Sequence, residues 1–339
     1  MYLSFPRKIA LFIIEIGVKV VWVIDIITDF SIKTVAKWTK NIIVFILSFA
    51  FILFLAFSIK TGYLSKMVES FFISYDGVGR SNKSFPVLVR VLPFPSVSAK
   101  SVIVMEKNKN RLLYEKNSKE EVAPASTVKL MSALVSLDLY KKEDVLKVSK
   151  ECTEVEGTKA FFPEKSKFRA IDLIYAMLIG STGDSACVLS TSKVNEKGFV
   201  NLMNEKAKSI GMESTLFSNA VGLDNINGGH HSTALDLYRL AVFSVSNPVI
   251  EDAVGTKLFI LKSENSDFVT SVYNTNRLLW DIPGTAGVKT GTTENAGEVL
   301  IYEYKDDLKD IFIVVMGSTD RFGDTKNILE WINSSYTWK

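Results

Sequence analysis

Hydrophobic and polar positions follow several spacings along the 339-residue chain. From Asn41 to Ile59 (NIIVFILSFAFILFLAFSI) no side chain is charged. About 20 consecutive apolar residues suffice to cross the hydrocarbon core as a helix. Lys33, Lys37 and Lys40 precede this run, with Arg7, Lys8 and Lys19 further upstream, and the basic excess assigns the short N-terminal side to the cytoplasm. Upstream of the run, charged residues from Arg7 to Lys40 fall within roughly 120° of a helical wheel, opposite Ile13, Val20, Ile24, Ile27 and Val35. That pattern predicts an amphipathic helix lying in the cytoplasmic interface. The competing reading, a second membrane helix over 9–29, would bury Glu15, Lys19 and Asp25 at about 2.5–3.5 kcal/mol each. Residues 60–95 carry no sustained period.

From Ser96 the pattern becomes that of a globular domain. Ser101–Met105 and Arg111–Tyr114 are apolar runs around Lys107-Asn108-Lys109-Asn110, which predicts a β-hairpin. Helical spacing follows from about Ser126 and recurs over 171–179, 184–193, 197–210 and 233–246. Strand patterns return at Val299–Tyr304 and Ile311–Met316, and a helix is expected over about 324–337. Strands first, helices in the middle, strands and a helix last imply an α/β (α+β) fold: an antiparallel sheet flanked by helices, with an inserted helical subdomain. The expected organisation is a cytoplasmic segment (1–40), a transmembrane helix (41–60), a connector (61–95) and a globular domain (96–339). The protein is thus expected in the cell membrane, single-pass and in contact with the lipid bilayer, with the globular domain extracytoplasmic.

Composition narrows the chemistry. Mean hydropathy is positive, which is unusual for a purely soluble protein and suggests a membrane segment. The formal net charge of +3 offers no footprint for nucleic acid. Cys152 and Cys187 form neither a zinc motif nor a disulfide framework, and the favoured expectation is two free thiols, a single bridge being the alternative. His230 and His231 are the only histidines. Adjacent side chains diverge, so no metal site is expected on them.

Three short motifs occur in order: Ser126-Thr-Val-Lys129 (S-x-x-K), Ser181-Thr182-Gly183, which begins as an S-x-N element, and Lys289-Thr290-Gly291 (K-T-G). Taken singly each is weak: Ser190–Lys193 is a second S-x-x-K and Lys60-Thr61-Gly62 a second K-T-G. Context separates them. Ser126 opens a helix, where free N–H groups stabilise negative charge, whereas Ser190 lies within one. Lys60 directly follows the apolar run. Lys289 sits between Gly284/Gly287 and a strand-forming run, as on an edge strand lining a cleft. Three residues apart on a helix, Ser126 and Lys129 share one face, about 5–6 Å apart at Cβ. A buried lysine crowded by a second cation loses its proton near neutral pH and activates the hydroxyl.

Residues 97–339 resemble the low-molecular-mass penicillin-binding proteins, the serine-type D-alanyl-D-alanine carboxypeptidases. The likeness extends beyond the trio to 99–137, GMESTLFSNAVGLD (211–224), HHSTALDL (230–237), NTNRLL (274–279) and GVKTGTTENAGEVLI (287–301). It implies that Ser126 is acylated, Lys129 is its base and Ser181 passes the proton to the leaving amine. Lys289 would steady the proton network and the substrate's terminal carboxylate, with Thr290 assisting; Gly291, Thr292 and Gly183 are the further substrate-binding positions, and the N–H groups of Ser126 and Thr292 would form the oxyanion hole. His231 and Ser232 would be loop packing. The implied substrates are peptidoglycan stem peptides, with β-lactams as inhibitors and no cofactor.

Two departures stand out. Gly183 occupies the family's asparagine position. Losing that hydrogen bond predicts acylation slowed by roughly 3- to 150-fold, and a faster Gly183→Asn variant. Asp184 beside it is expected to cap the following helix. Many family members carry a small C-terminal β domain and an amphipathic anchor, for which there is no room before Lys339, and the N-terminal span is expected to replace that anchor. The competing functions are a DD-endopeptidase, which would use the same residues, and a weakly active or inactive penicillin-binding sensor of the cell wall. A β-lactamase would need a deacylating glutamate motif before K-T-G, and none is found.

Overall fold

The computed structural model describes residues 84–224 and 229–339, together with Lys19. The expected cytoplasmic segment (Lys19 apart), membrane helix and residues 61–83 of the connector lie outside the described residues. No helix among the described residues is long and apolar enough to cross a membrane. From Ser84 on, the described residues belong to one compact unit.

In chain order the strands are β1 (Pro86–Leu88), β2 (Ser101–Glu106), β3 (Arg111–Lys116), β4 (Val145–Lys147), β5 (Lys167–Arg169), β6 (Leu258–Lys262), β7 (Val269–Tyr273), β8 (Thr285–Thr293), β9 (Gly297–Lys305), β10 (Asp310–Ser318) and β11 (Tyr336–Trp338). The helices are α1 (Lys129–Leu139), α2 (Lys150–Glu154), α3 (Ala170–Ile179), α4 (Gly183–Thr191), α5 (Glu196–Ser209), α6 (Ala234–Val245), α7 (Pro248–Gly255), α8 (Leu278–Asp281) and α9 (Arg321–Ser335). A 3-10 turn, Ala125–Val128, leads into α1.

One five-stranded sheet, ordered β3-β2-β10-β9-β8 with every pairing antiparallel, carries the architecture. Its central strand β10 is buried along its whole length. A run such as IFIVVM serves both faces, because successive side chains point to opposite sides. Ile311, Ile313 and Val315 join a core with Phe322, Ile328 and Ile332 of α9. Phe312, Val314 and Met316 join the larger core made by α1 and α3–α7. The expected hairpin, helices and late strands are all present, and the K-T-G strand β8 is a sheet edge.

The structure adds pairings that the sequence pattern did not show. β1 lies within the segment expected to be a connector and pairs with β11. β6 and β7 form a hairpin, and β4 pairs with β5. The two cysteines are not free thiols: Cys152 and Cys187 form a disulfide that ties α2 to α4. They lie 35 residues apart in sequence and become neighbours only when α2 packs on α4.

Candidate active site

Ser126 lies in the 3-10 turn and Lys129 begins α1. Ala125, just before the serine, has φ +49°, a conformation that non-glycine residues seldom adopt. The turn is pinned by the Thr127 hydroxyl donating to the Pro124 carbonyl at 2.6 Å. The three-residue spacing brings Lys129 Nζ to 2.9 Å from Ser126 Oγ. Ser126 remains partly exposed, whereas Lys129 is 1% exposed. Burial pushes the Lys129 ammonium down to about 7, and the Asp184 carboxylate works against that fall. A buried lysine near 7 is half neutral at neutral pH and can accept the serine proton.

Lys129 Nζ also donates to the Val221 carbonyl. Asn219 shapes the loop that presents this carbonyl: its Oδ1 accepts from the N–H groups of Val221, Gly222 and Leu223, and its Nδ2 donates to the Leu223 carbonyl. Gly222, at φ +86°, allows the loop to press on the nucleophile turn, since a Cβ there would lie 2.9 Å from Ser126 Cα.

The edge strand β8 closes the other side. A Cβ on Gly291 would sit 2.9 Å from Ala125 Cβ and 3.0 Å from the Ser126 nitrogen. The glycine of K-T-G is therefore what lets the strand lie against the nucleophile turn. Lys289 is buried and donates to the Thr290 carbonyl at 3.1 Å. Burial, then Lys129 and Arg321, hold its ammonium well below the ordinary lysine range. Thr290 shares a hydrogen bond with Thr275 at 2.6 Å, and the Thr275 N–H donates to the Ile179 carbonyl at the end of α3. Thr292 is exposed at the strand's end.

Ser181 lies between α3 and α4 at φ +57°, 6% exposed, with no side-chain hydrogen bond within the described residues. Its neighbour Gly183 does not leave an empty asparagine pocket. The Gly183 N–H donates to the Thr158 carbonyl at 2.7 Å. A Cβ there would meet the Glu156 carbonyl and Val221 Cγ1, each at 3.2 Å, so the 156–158 loop fills the space. Asp184 is likewise not simply a cap. Its carboxylate accepts from its own helix at Ser185 N, but also from Ala160 N at 2.9 Å and Phe162 N at 3.4 Å, anchoring that same loop. Burial raises its pKa while those backbone donors lower it.

Asn219 and Arg321 escaped the sequence reading, and Asp184 was read there only as a cap. Asn219 and Asp184 act through folded loops; the SNAVGLD segment and the acid next to Gly183 were the available signals. Arg321 opens α9 and donates from Nη1 to the Gly291 carbonyl at 2.7 Å and to the Thr292 hydroxyl. Its Nε is buried with no hydrogen-bond partner among the described residues. No local pattern marks a lone arginine as a neighbour of K-T-G. The decoy Ser190 lies inside α4, its hydroxyl donating to the Cys187 carbonyl. His231 bridges to Leu216, and His230 accepts the Ser218 N–H, so both serve the loop rather than the dyad.

A partly exposed serine within hydrogen-bond reach of a buried lysine on the next helical turn, beside a K-T-G edge strand, is the arrangement of the penicillin-binding and β-lactamase class of serine acyl-transferases. The chain belongs to the D-alanyl-D-alanine carboxypeptidase family, peptidase S11, whose model matches residues 90–320. It is 30% identical over 247 residues to the D-alanyl-D-alanine carboxypeptidase DacF of Bacillus subtilis, covering 70% of this chain and 63% of that protein. It is 31% identical over 251 residues to a D-alanyl-D-alanine endopeptidase of Escherichia coli, covering 71% and 79%. Among solved structures it is similar to a D-alanyl-D-alanine carboxypeptidase of Mycobacterium tuberculosis, with TM-score 0.67 and 25% identity over 73% of this chain and 95% of that one. The Streptomyces K15 DD-transpeptidase shares the fold at TM-score 0.67 and 24% identity, over 72% of this chain and all of that one.

Proposed function

We propose that this protein is a serine-type D-Ala-D-Ala carboxypeptidase acting on peptidoglycan stem peptides through an acyl-enzyme on Ser126. The observation that carries the reading is the 2.9 Å approach of a buried, readily deprotonated Lys129 to Ser126 Oγ. Neutral Lys129 takes the serine proton as Oγ attacks the carbonyl of the penultimate D-alanine. The oxyanion forms facing the N–H groups of Ser126 and Thr292, where a donor is typically worth about 3 kcal/mol. Ser181 relays the proton to the departing D-alanine amine. The substrate's terminal carboxylate lies at Lys289, Thr292 and Arg321, and that negative charge offsets the crowding of cations there. Water then hydrolyses the ester, again with Lys129 as base.

Covalent labelling by a fluorescent penicillin and release of D-alanine from a pentapeptide test the reading together. Both are expected to vanish in Ser126→Ala, and labelling is expected to persist in Ser190→Ala. Labelling that survives Ser126→Ala would overturn the nucleophile. The E. coli relative's name favours endopeptidase cleavage of cross-links as a second activity of the same cleft. The intact Ser126–Lys129 pair argues against an inactive sensor. The proposed setting is the outer face of the cell membrane, with the uncharged run at 41–59 as a single span. Protease added to intact spheroplasts should remove the catalytic domain and spare the N-terminal segment; a protected domain would reverse the orientation.

A further inference from the structure

The loop over 219–224 meets all three motif segments. Val221 offers its carbonyl to Lys129 Nζ, and Gly222 lies against the Ala125–Ser126 turn. Ala220 is tied to α1, its carbonyl accepting the Ser132 hydroxyl at 2.7 Å. Val221 Cγ1 packs beside Gly183, and Leu223 Cδ2 beside Gly157 in the loop behind it. The last residue of the loop, Asp224, reaches the K-T-G strand. Its Oδ1 accepts the Thr293 hydroxyl at 2.7 Å, and its Oδ2 accepts the Asn295 N–H at 2.9 Å. Thr293 ends β8, directly after Thr292, and Asn295 lies in the turn before β9. The Thr293 oxygen in turn accepts the Ala296 N–H at 3.1 Å, which closes that turn. A carboxylate that gives one oxygen to each of two donors fixes the orientation as well as the separation of the segments it joins.

We propose that Asp224 is a positioning residue for acylation: it locks the loop that carries the lysine's acceptor to the end of β8, and so fixes where the Thr292 N–H stands relative to Ser126 and Lys129. This deepens the proposed function and rests on it. The base comes from α1 and one oxyanion donor from β8, and acylation needs both in register with a single carbonyl. A misplacement of about 1 Å in such a constellation can cost about a hundredfold in rate. Gly291 and Thr293 flank Thr292. The strand is therefore held on both sides of the oxyanion donor, by close packing on the nucleophile turn at Gly291 and by Asp224 at Thr293. Asp224 acts through Val221 and Thr293, with Asn219 keeping the intervening loop in shape.

The test is stopped-flow acylation of the full-length protein by a fluorescent penicillin, resolved into the encounter constant and the acylation rate constant at saturation. Asp224→Ala should lower the rate constant roughly tenfold and leave the encounter constant within about twofold. Asp224→Asn should bring it back close to wild type. Its amide oxygen keeps the Asn295 N–H, and its amide nitrogen can donate to the Thr293 oxygen once that hydroxyl rotates. Thr293→Val removes the partner from the other side and should show the same loss, which keeps the test sharp if Asp224→Ala does not fold. The double variant should be no slower than the slower single one, as for two halves of one contact. A carboxylate with only a structural role would lower Tm and the labelled fraction but not the rate constant per labelled site. That outcome, a loss confined to the encounter constant, an asparagine variant as slow as alanine, or additive losses in the double variant would overturn the proposal. Wild-type protein that no penicillin acylates would instead strike the acyl-enzyme reading itself, and with it this inference.

Discussion

Acidification through neutral pH should disarm acylation, because the proposed base is a lysine brought down to about 7. Lys129 is brought to about 7 chiefly by burial. Acylation needs its neutral form, so the sign is fixed: activity is lost as pH falls through that value and levels off above it. With a midpoint near 7, about a tenth of the protein carries neutral Lys129 at pH 6 and about nine-tenths at pH 8, a rise of roughly tenfold. The assay is the second-order rate of penicillin acylation from pH 5.5 to 9, with circular dichroism to exclude unfolding. Asp184→Asn provides the companion measurement. The Asp184 charge raises the lysine's pKa, so its removal should move the acid limb to lower pH. An acylation rate that is flat across this range, or a limb near the ordinary lysine value of about 10.4, would refute the argument that burial arms Ser126. A limb shifted upward in Asp184→Asn would refute the assigned sign of its field.

Two further outcomes follow from packing. Gly183→Asn should not accelerate acylation, contrary to the expectation from family resemblance, because the 156–158 loop must yield by a few tenths of an ångström to admit a Cβ; stopped-flow rates above wild type would show that the loop gives way freely. Replacing Cys152 and Cys187 by serine should lower stability by about 4 kcal/mol on the loop-entropy scale for a 35-residue separation, and urea midpoints equal to wild type would show that the bridge carries no stability.

Much of this was legible because it is local. S-x-x-K is a spacing within one helical turn, and IFIVVM can serve both faces of a sheet only as a central strand. Lys289 announced an edge strand through its flanking glycines. The rest depends on partners far away in sequence. LFILK and VTSVY pair across a turn without period-2 alternation strong enough to single them out. PVL meets YTW from the other end of the domain. Asp184 looked like a cap because its nearest N–H groups are helical, yet its carboxylate also holds N–H groups 22 and 24 positions earlier. Arg321 belongs to the site only because α9 begins where β8 ends. Glycine at position 183 read as a missing donor, whereas it makes room for a neighbouring loop.

The β1–β11 ribbon has a mechanical meaning. It is stitched to β3, where Arg111 Nη1 donates to the Pro86 carbonyl at 2.6 Å and Phe94 stacks on Tyr114. β3 and β8 are opposite edges of the sheet, four strand spacings or about 19 Å apart. Tension applied through the chain at Ser84 therefore enters at the β3 edge and is taken up by the ribbon and α9. That point of entry lies at the edge of the sheet remote from β8 and its K-T-G residues.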